Sequence, residues 1–156
     1  MKSHHYKAEI KWTGNSGKGT SNYTAYERSH TVNVNGKAII DCSSDPSFRG
    51  DKTKHNPEEL FVASISTCHM LWFLHLCSQA GIVVIDYVDN ATGTMRENED
   101  GSGFFENVTL HPTVRVTDRA MIEKANGLHE QAHKLCFIAN SCNFPIHHKP
   151  ICEADA

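Results

Sequence analysis

Two kinds of side chain in this sequence could do chemistry, cysteine and histidine. Cysteines stand at positions 42, 68, 77, 136, 142 and 152, and no two are spaced as CxxC. That spacing argues against a zinc ribbon or a thioredoxin-type site. Cys68 falls within Ser66-Thr67-Cys68-His69, and Cys136 stands beside Phe137 and Ile138. A cysteine in such a run is either a small apolar filler or, once ionised, a nucleophile, since the thiolate and not the thiol attacks. The histidines offer a different chemistry. His129-Glu130-Gln131-Ala132-His133 fits HExxH. On a helix this pattern puts two imidazoles on one face for zinc and supplies Glu130 as general base. Glu153, twenty residues after His133, is the matching third ligand of such a hydrolase. It lies three residues before the last one, however, in a tail rather than an obvious helix, and a protease cleft is usually built from more chain. The plainer alternative is a polar helix face, with His129 and His133 solvated or near a dimer seam.

Something must position these groups. A chain of 156 residues suits one domain, residues 1–156, able to bury about 70% of its unfolded surface without disulfide staples. Hydrophobic residues are 39% and charged residues 21%, as in ordinary globular proteins. With net charge −3 and no long basic run, nucleic acid is not an expected partner. Eleven histidines make the charge sensitive to pH near neutrality. The stretch Met1–Ile10 lacks the apolar run of a secretory signal. Six cysteines without export point to free thiols in the cytoplasm. Residues 60–77 carry no Asp, Glu, Lys or Arg over eighteen positions, the lower threshold for a membrane helix. Ser64, Ser66, Thr67, His69 and His75 interrupt it. The expectation is therefore no membrane partner, but a helix covered on nearly all sides within the protein or a dimer.

The elements follow from local signals. Short β-rich runs occupy 7–12 and 23–40, with Asn35-Gly36 as a hairpin turn, and 43–56 is loop. Asn56 caps a helix that Pro57, Glu58 and Glu59 open and Gly81 ends, about 36 Å long. Residues 82–96 and 104–117 read as two long strands joined by the acidic turn 97–103 into an antiparallel hairpin. Val108, Leu110, Val114 and Val116 alternate, predicting a buried face, and Pro112 suggests an edge or a bulge. Asp118 caps a second helix with Ala120, Ile122, Ala125, Leu128, Ala132 and Leu135 at helical spacing. A last strand spans 145–152. The order of strands and helices gives an α+β fold.

Several of these segments resemble the OsmC/Ohr peroxidases. Asn56-Pro57-Glu58-Glu59-Leu60 with Cys68 nine residues after Glu59 is similar to that family's NPEEL…C signature. His133-Lys134-Leu135-Cys136 followed by Asn140-Ser141 looks like its second cysteine segment, and Ser44–Asp51 like the loop before the helix in one branch. The resemblance implies antiparallel sheets packed on two main helices, a long buried central helix and an intertwined homodimer. It implies thiol-dependent reduction of hydroperoxides, and a partly apolar pocket lined by Phe and Leu residues is expected to suit organic ones. Cys68 would form a sulfenic acid that condenses with Cys136 to a disulfide, and an external thiol, a lipoyl protein or small dithiol, would reduce it. Arg49 with Glu58 is the implied activating pair, with Arg28 in reserve, and no metal or bound cofactor is implied. Ten residues of helix rise about 15 Å, so Glu58 cannot reach the Cys68 of its own straight helix; another subunit, or a bend, must bring a Glu to the thiolate, which fits the implied homodimer. A non-catalytic binding protein on the same fold stays open. His69 after Cys68, Phe137 after Cys136, and Cys142 as a competing resolving thiol depart from the family pattern. His69 is expected as a hydrogen-bonded core residue.

Overall fold

The computed structural model describes residues 1–155, which divide into two compact units, 1–61 and 62 onward. In the first, β1 (Glu9–Trp12), β2 (His30–Asn33) and β3 (Ile40–Cys42) form an antiparallel sheet in chain order. The Asn35-Gly36 turn lies between β2 and β3. Gly36 takes φ 77°, open to a residue without Cβ, and the Lys37 N–H returns to the Val34 carbonyl at 3.0 Å. The loop that follows holds a 3-10 turn, Pro46–Phe48. Asp45 caps it by accepting from the Ser47 N–H at 2.7 Å, and Arg49 ends it in the left-handed region.

The long helix α1 (Pro57–Gln79) starts and stops where the sequence signals stand. Asn56 and Glu59 form a reciprocal capping box. The Glu59 N–H donates to Asn56 Oδ1 at 2.8 Å, and the Asn56 N–H donates to Glu59 Oε2 at 3.2 Å. At the other end Gly81 takes φ 71° and the Ile82 N–H reaches back to the Cys77 carbonyl at 2.9 Å. Ile65, His69, Phe73, Leu76 and Cys77 are its buried positions. Ala63, Thr67, Leu71 and His75 form an exposed stripe, with Leu71 58% exposed. Coverage on nearly all sides is thus not achieved by the chain alone. Among the described helices α1 is long and apolar enough to cross a membrane.

In the second unit the two long strands expected over 82–96 and 104–117 are each broken. β4 (Val84–Asp89), β5 (Thr92–Glu97), β6 (Gly103–Leu110) and β7 (Pro112–Val116) replace them. β5 and β6 form the hairpin around the acidic turn, while β4 pairs with β7 in a different sheet. Pro112 is neither edge nor bulge: it is the first residue of β7, the middle strand of its sheet. The bulges fall at Val84/Asp86 and Thr94/Met95. The single last strand is likewise two, β8 (Ile146–His148) and β9 (Ile151–Ala154), which run parallel to β6 and β7. The sheets β5-β6-β8 and β4-β7-β9 are therefore mixed rather than purely antiparallel. All three connections switch sheets at one level, since Leu110 pairs with His148, and Asp89 with Pro112. Pro112 and Pro150 mark the switch, where a missing N–H leaves no ladder bond unmade. Asp89 fastens it, its two oxygens accepting the His111 N–H at 2.7 Å and the Ser66 hydroxyl at 2.5 Å.

The core of this unit gathers Phe73, Leu76, Cys77, Ile82, Val114, Val116, Ala125 and Ala132. The alternation read from sequence holds, with Val108, Leu110, Val114 and Val116 all buried. Asp118 caps a 3-10 turn, Arg119–Met121, by accepting from the Ala120 N–H at 2.9 Å, and the turn leads into α2 (Ile122–Leu135). The buried face of α2 is Ala125, His129 and Ala132, the spacing of one helical stripe. Lys124 of α2 donates to the Ala80 carbonyl at 3.0 Å, satisfying an end of α1. The fold is α+β with two main helices.

Candidate active site

Cys68 lies mid-way along α1 and is half-buried. Cys136 ends α2 in extended backbone and is buried, 1% exposed. The buried stripe of α2 continues onto Cys136, since His129, Ala132 and Cys136 recur at helical spacing. The segment after it is tightly held. The Asn140 N–H donates to the Cys136 carbonyl at 3.0 Å, Asn140 Nδ2 to the Lys134 carbonyl at 3.0 Å, and Ser141 Oγ to the Phe137 carbonyl at 2.8 Å. Cys136 Sγ accepts from the Ala139 N–H at 3.4 Å.

Cys68 and Cys136 are neighbours. Burial pushes the Cys136 thiol up to about 11, and the Cys68 side chain near it adds to this, against the Ala139 and Ile138 N–H groups, which favour the thiolate. Cys142 does not compete for that contact. Its thiol donates to the Ile138 carbonyl of its own turn at 3.3 Å, and burial raises it. Cys42, Cys77 and Cys152 are raised by burial first, as inert core thiols are. All six cysteines are free. An apolar surface adjoins Cys136: Phe137 is 69% exposed and meets Trp72 edge-on at 5.6 Å between ring centroids.

Beside the cysteines stands a buried histidine pair. His69 Nε2 and His129 Nδ1 share a hydrogen bond of 2.9 Å. Burial holds His69 down to about 4 and His129 to about 3, with neighbouring histidines adding to both, so the pair is neutral near pH 7. His69 is thus the hydrogen-bonded core residue expected. The HExxH pattern is not assembled as a metal centre. The His129 ring is buried with Nδ1 committed to His69, and exposed Glu130 pairs with Lys134 at 3.4 Å and with His148 at 3.5 Å. Glu153 is exposed on β9. No group of three or more His, Cys, Asp or Glu residues among the described residues could hold a metal ion.

Arg49 and Glu58 belong to the first unit. Arg49 is exposed, its guanidinium 6.0 Å from the Tyr23 ring centroid. Glu58 is half-buried in the first turn of α1, and its Oε2 is buried without a hydrogen-bond partner. No ion pair joins the two within the chain among the described residues. Arg28 is engaged twice over. Its two Nη atoms donate to the Tyr26 and Tyr23 carbonyls at 2.6 and 2.8 Å, and its guanidinium lies 4.1 and 4.3 Å from those two ring centroids.

Residues 50–150 match the family described as OsmC-like protein. The chain belongs to the OsmC-like family. An OsmC-like protein of unknown function from Vibrio cholerae is 30% identical, with 96% of this chain and 100% of that one covered and a TM-score of 0.86. An organic hydroperoxide resistance protein from Elizabethkingia anophelis is 24% identical over 99% of this chain and 100% of that one, with a TM-score of 0.68. One from Legionella pneumophila is 17% identical over 97% and 99%, with a TM-score of 0.64. Among the curated proteins none matches. For an OsmC-like chain the sequence pointed to the cysteines but not to the His69–His129 pair. The signal lay in the sequence: His129 and Cys136 are seven residues apart, hence on one face of α2.

Proposed function

We propose that this OsmC-like protein is a thiol-dependent hydroperoxide reductase in which Cys68 and Cys136 act in turn. The observation that carries the reading is that the Cys136 and Cys68 side chains are neighbours, one on each helix, since neighbouring thiols can be brought to bonding distance. The Cys68 thiolate attacks the O–O bond, taking the terminal OH as a sulfenic acid and releasing the alkoxide, which picks up a proton from solvent. Cys136 then attacks that sulfur as a thiolate, its proton passing to the departing hydroxyl. An S–S bond forms, the S–O bond breaks, and the thiol proton leaves with the hydroxyl as water. A lipoyl protein or small dithiol reduces the disulfide by exchange. Burial keeps Cys136 protonated while the peroxide is attacked, which suits its place as the second thiol. The occurrence of organic hydroperoxide resistance proteins among the solved relatives supports a peroxide-related role.

Arg49 and Glu58 are the activating pair in this reading, brought to Cys68 within an intertwined homodimer. Two observations support it. The Glu58 Oε2 is buried without a partner, a position that a cation would satisfy. The uncharged stretch 60–77 of α1 leaves Ala63, Thr67, Leu71 and His75 exposed along one stripe, which a second copy would cover. Arg28 is the second choice, because its charge is already held by two carbonyls and two rings. Exposed Phe137 beside Cys136 favours organic hydroperoxides over hydrogen peroxide. The test is peroxide consumption with a dithiol by wild type, Cys68→Ser and Cys136→Ser. We expect no consumption by the first variant and at most slow turnover by the second. Full activity of Cys68→Ser would overturn the proposal.

A further inference from the structure

The His69–His129 pair is costly and has no part in the steps above. Both residues are 1% exposed, and His69 Nδ1 and His129 Nε2 are buried without hydrogen-bond partners. Whichever neutral tautomer each ring takes, a shared proton leaves one donor or acceptor unsatisfied on each outer side. Apolar residues of similar size would fill this space at lower cost. A buried polar pair retained on such terms can instead fix how two elements align.

The geometry shows which elements. The rings lie 7° from parallel with centroids 5.3 Å apart and facing nitrogens at 2.9 Å. This is an edge-to-edge hydrogen bond within one plane, directional in a way that stacked apolar rings are not. The His129 ring also stacks on Phe73 at 3.9 Å, so it is gripped from two successive turns of α1, at His69 and Phe73. On α1, His69 is the residue after Cys68. On α2, His129 is seven residues before Cys136, on the same face. The two helices are therefore joined at His69 and His129, and the neighbouring Cys68 and Cys136 flank that joint on the same two helices.

We propose that His69 and His129 are positioning residues that hold α1 and α2 in the register at which Cys136 meets Cys68, and so set how readily that disulfide closes. The pair touches neither peroxide nor reductant. This rests on the two-cysteine reading for its role in turnover, but the alignment can be measured without peroxide. The readout is the effective concentration of the two thiols, from equilibrium of the Cys68–Cys136 disulfide with dithiothreitol, followed by differential alkylation and peptide mass mapping. His129→Asn keeps a polar atom near the place of Nδ1, whereas His129→Gln moves it away; His69→Leu with His129→Leu removes both groups. We expect His129→Asn to stay within about twofold of wild type, and the other two variants to lose about tenfold while remaining folded. Equal values for His129→Asn and His129→Gln, or a folded double-Leu protein with wild-type effective concentration, would overturn the proposal. If the double-Leu protein does not fold, the Asn and Gln pair decides alone. Failure of peroxide consumption would sink the peroxidase reading and leave this equilibrium unaffected.

Discussion

Cys136, the last residue of one helical stripe, has Cys68, in the middle of the long apolar helix, as its neighbour. From this contact follows an asymmetry of reactivity. Cys136, raised to about 11 chiefly by burial, with the Cys68 side chain adding to it, stays a thiol at neutral pH. Iodoacetamide at pH 7 should therefore label Cys136 far more slowly than an unhindered peptide thiol. In Cys68→Ser the added upward push from the Cys68 sulfur goes, while burial remains, so labelling stays slow. Fast labelling of Cys136 in the folded protein would mean that the thiol is not buried as described.

The buried imidazoles make stability depend on pH in a defined window. His69 and His129 are held at about 4 and about 3, chiefly by burial, with His148 and His133 facing His69, and His148 facing His129. Unfolded, each takes up a proton near its ordinary value of about 6.5. Below that value the unfolded chain binds more protons than the folded one, so stability falls with pH until the folded values are passed. Above about 6.5 both states are neutral and this contribution is flat. Tm should drop between pH 6.5 and 4, and the drop should be shallower when both histidines are replaced by Leu. Parallel curves for the two proteins would contradict the assignment.

Two polar contacts off the site give sharper stability tests. Asn56→Ala removes the acceptor of the Glu59 N–H and should cost about 1 kcal/mol in urea melts. Asp89→Ala strands the Ser66 hydroxyl and the His111 N–H at the sheet switch and should cost about 1–3 kcal/mol. An Asp89→Ala protein as stable as wild type would show that the switch is held by the prolines alone.

The apolar surface beside Cys136 sets substrate preference in our reading. Cumene hydroperoxide should be reduced faster than hydrogen peroxide, and Phe137→Ser should narrow that ratio more than it lowers hydrogen peroxide turnover. Faster reduction of hydrogen peroxide by wild type would remove the argument from Phe137, which is 69% exposed.

Local chemistry was legible where it is self-contained. Asn56, Pro57 and Glu59 define the start of α1 by themselves, and Gly81 its end, so that helix is read to within two residues. What failed depends on partners remote in sequence. The breaks after Asp89 and at His111 arise because three connections cross between sheets at one level, and no local propensity encodes a neighbour's crossing. Parallel pairing of the tail has the same origin. At the site, Asn56–Leu60 with Cys68 nine residues after Glu59 carried the family, while the His69–His129 bond is a tertiary contact that only the packing of α1 on α2 creates. HExxH misled because the helical face that aligns two imidazoles for zinc also aligns one of them with the core.

The most direct measurement is the intact and peptide mass of the protein after one equivalent of an organic hydroperoxide. Wild type should lose two hydrogens as a bond between the peptides of Cys68 and Cys136. Cys136→Ser should instead gain one oxygen, trapped by dimedone on Cys68. Oxygen found on any other cysteine, or a wild-type disulfide that omits Cys68, would contradict the account.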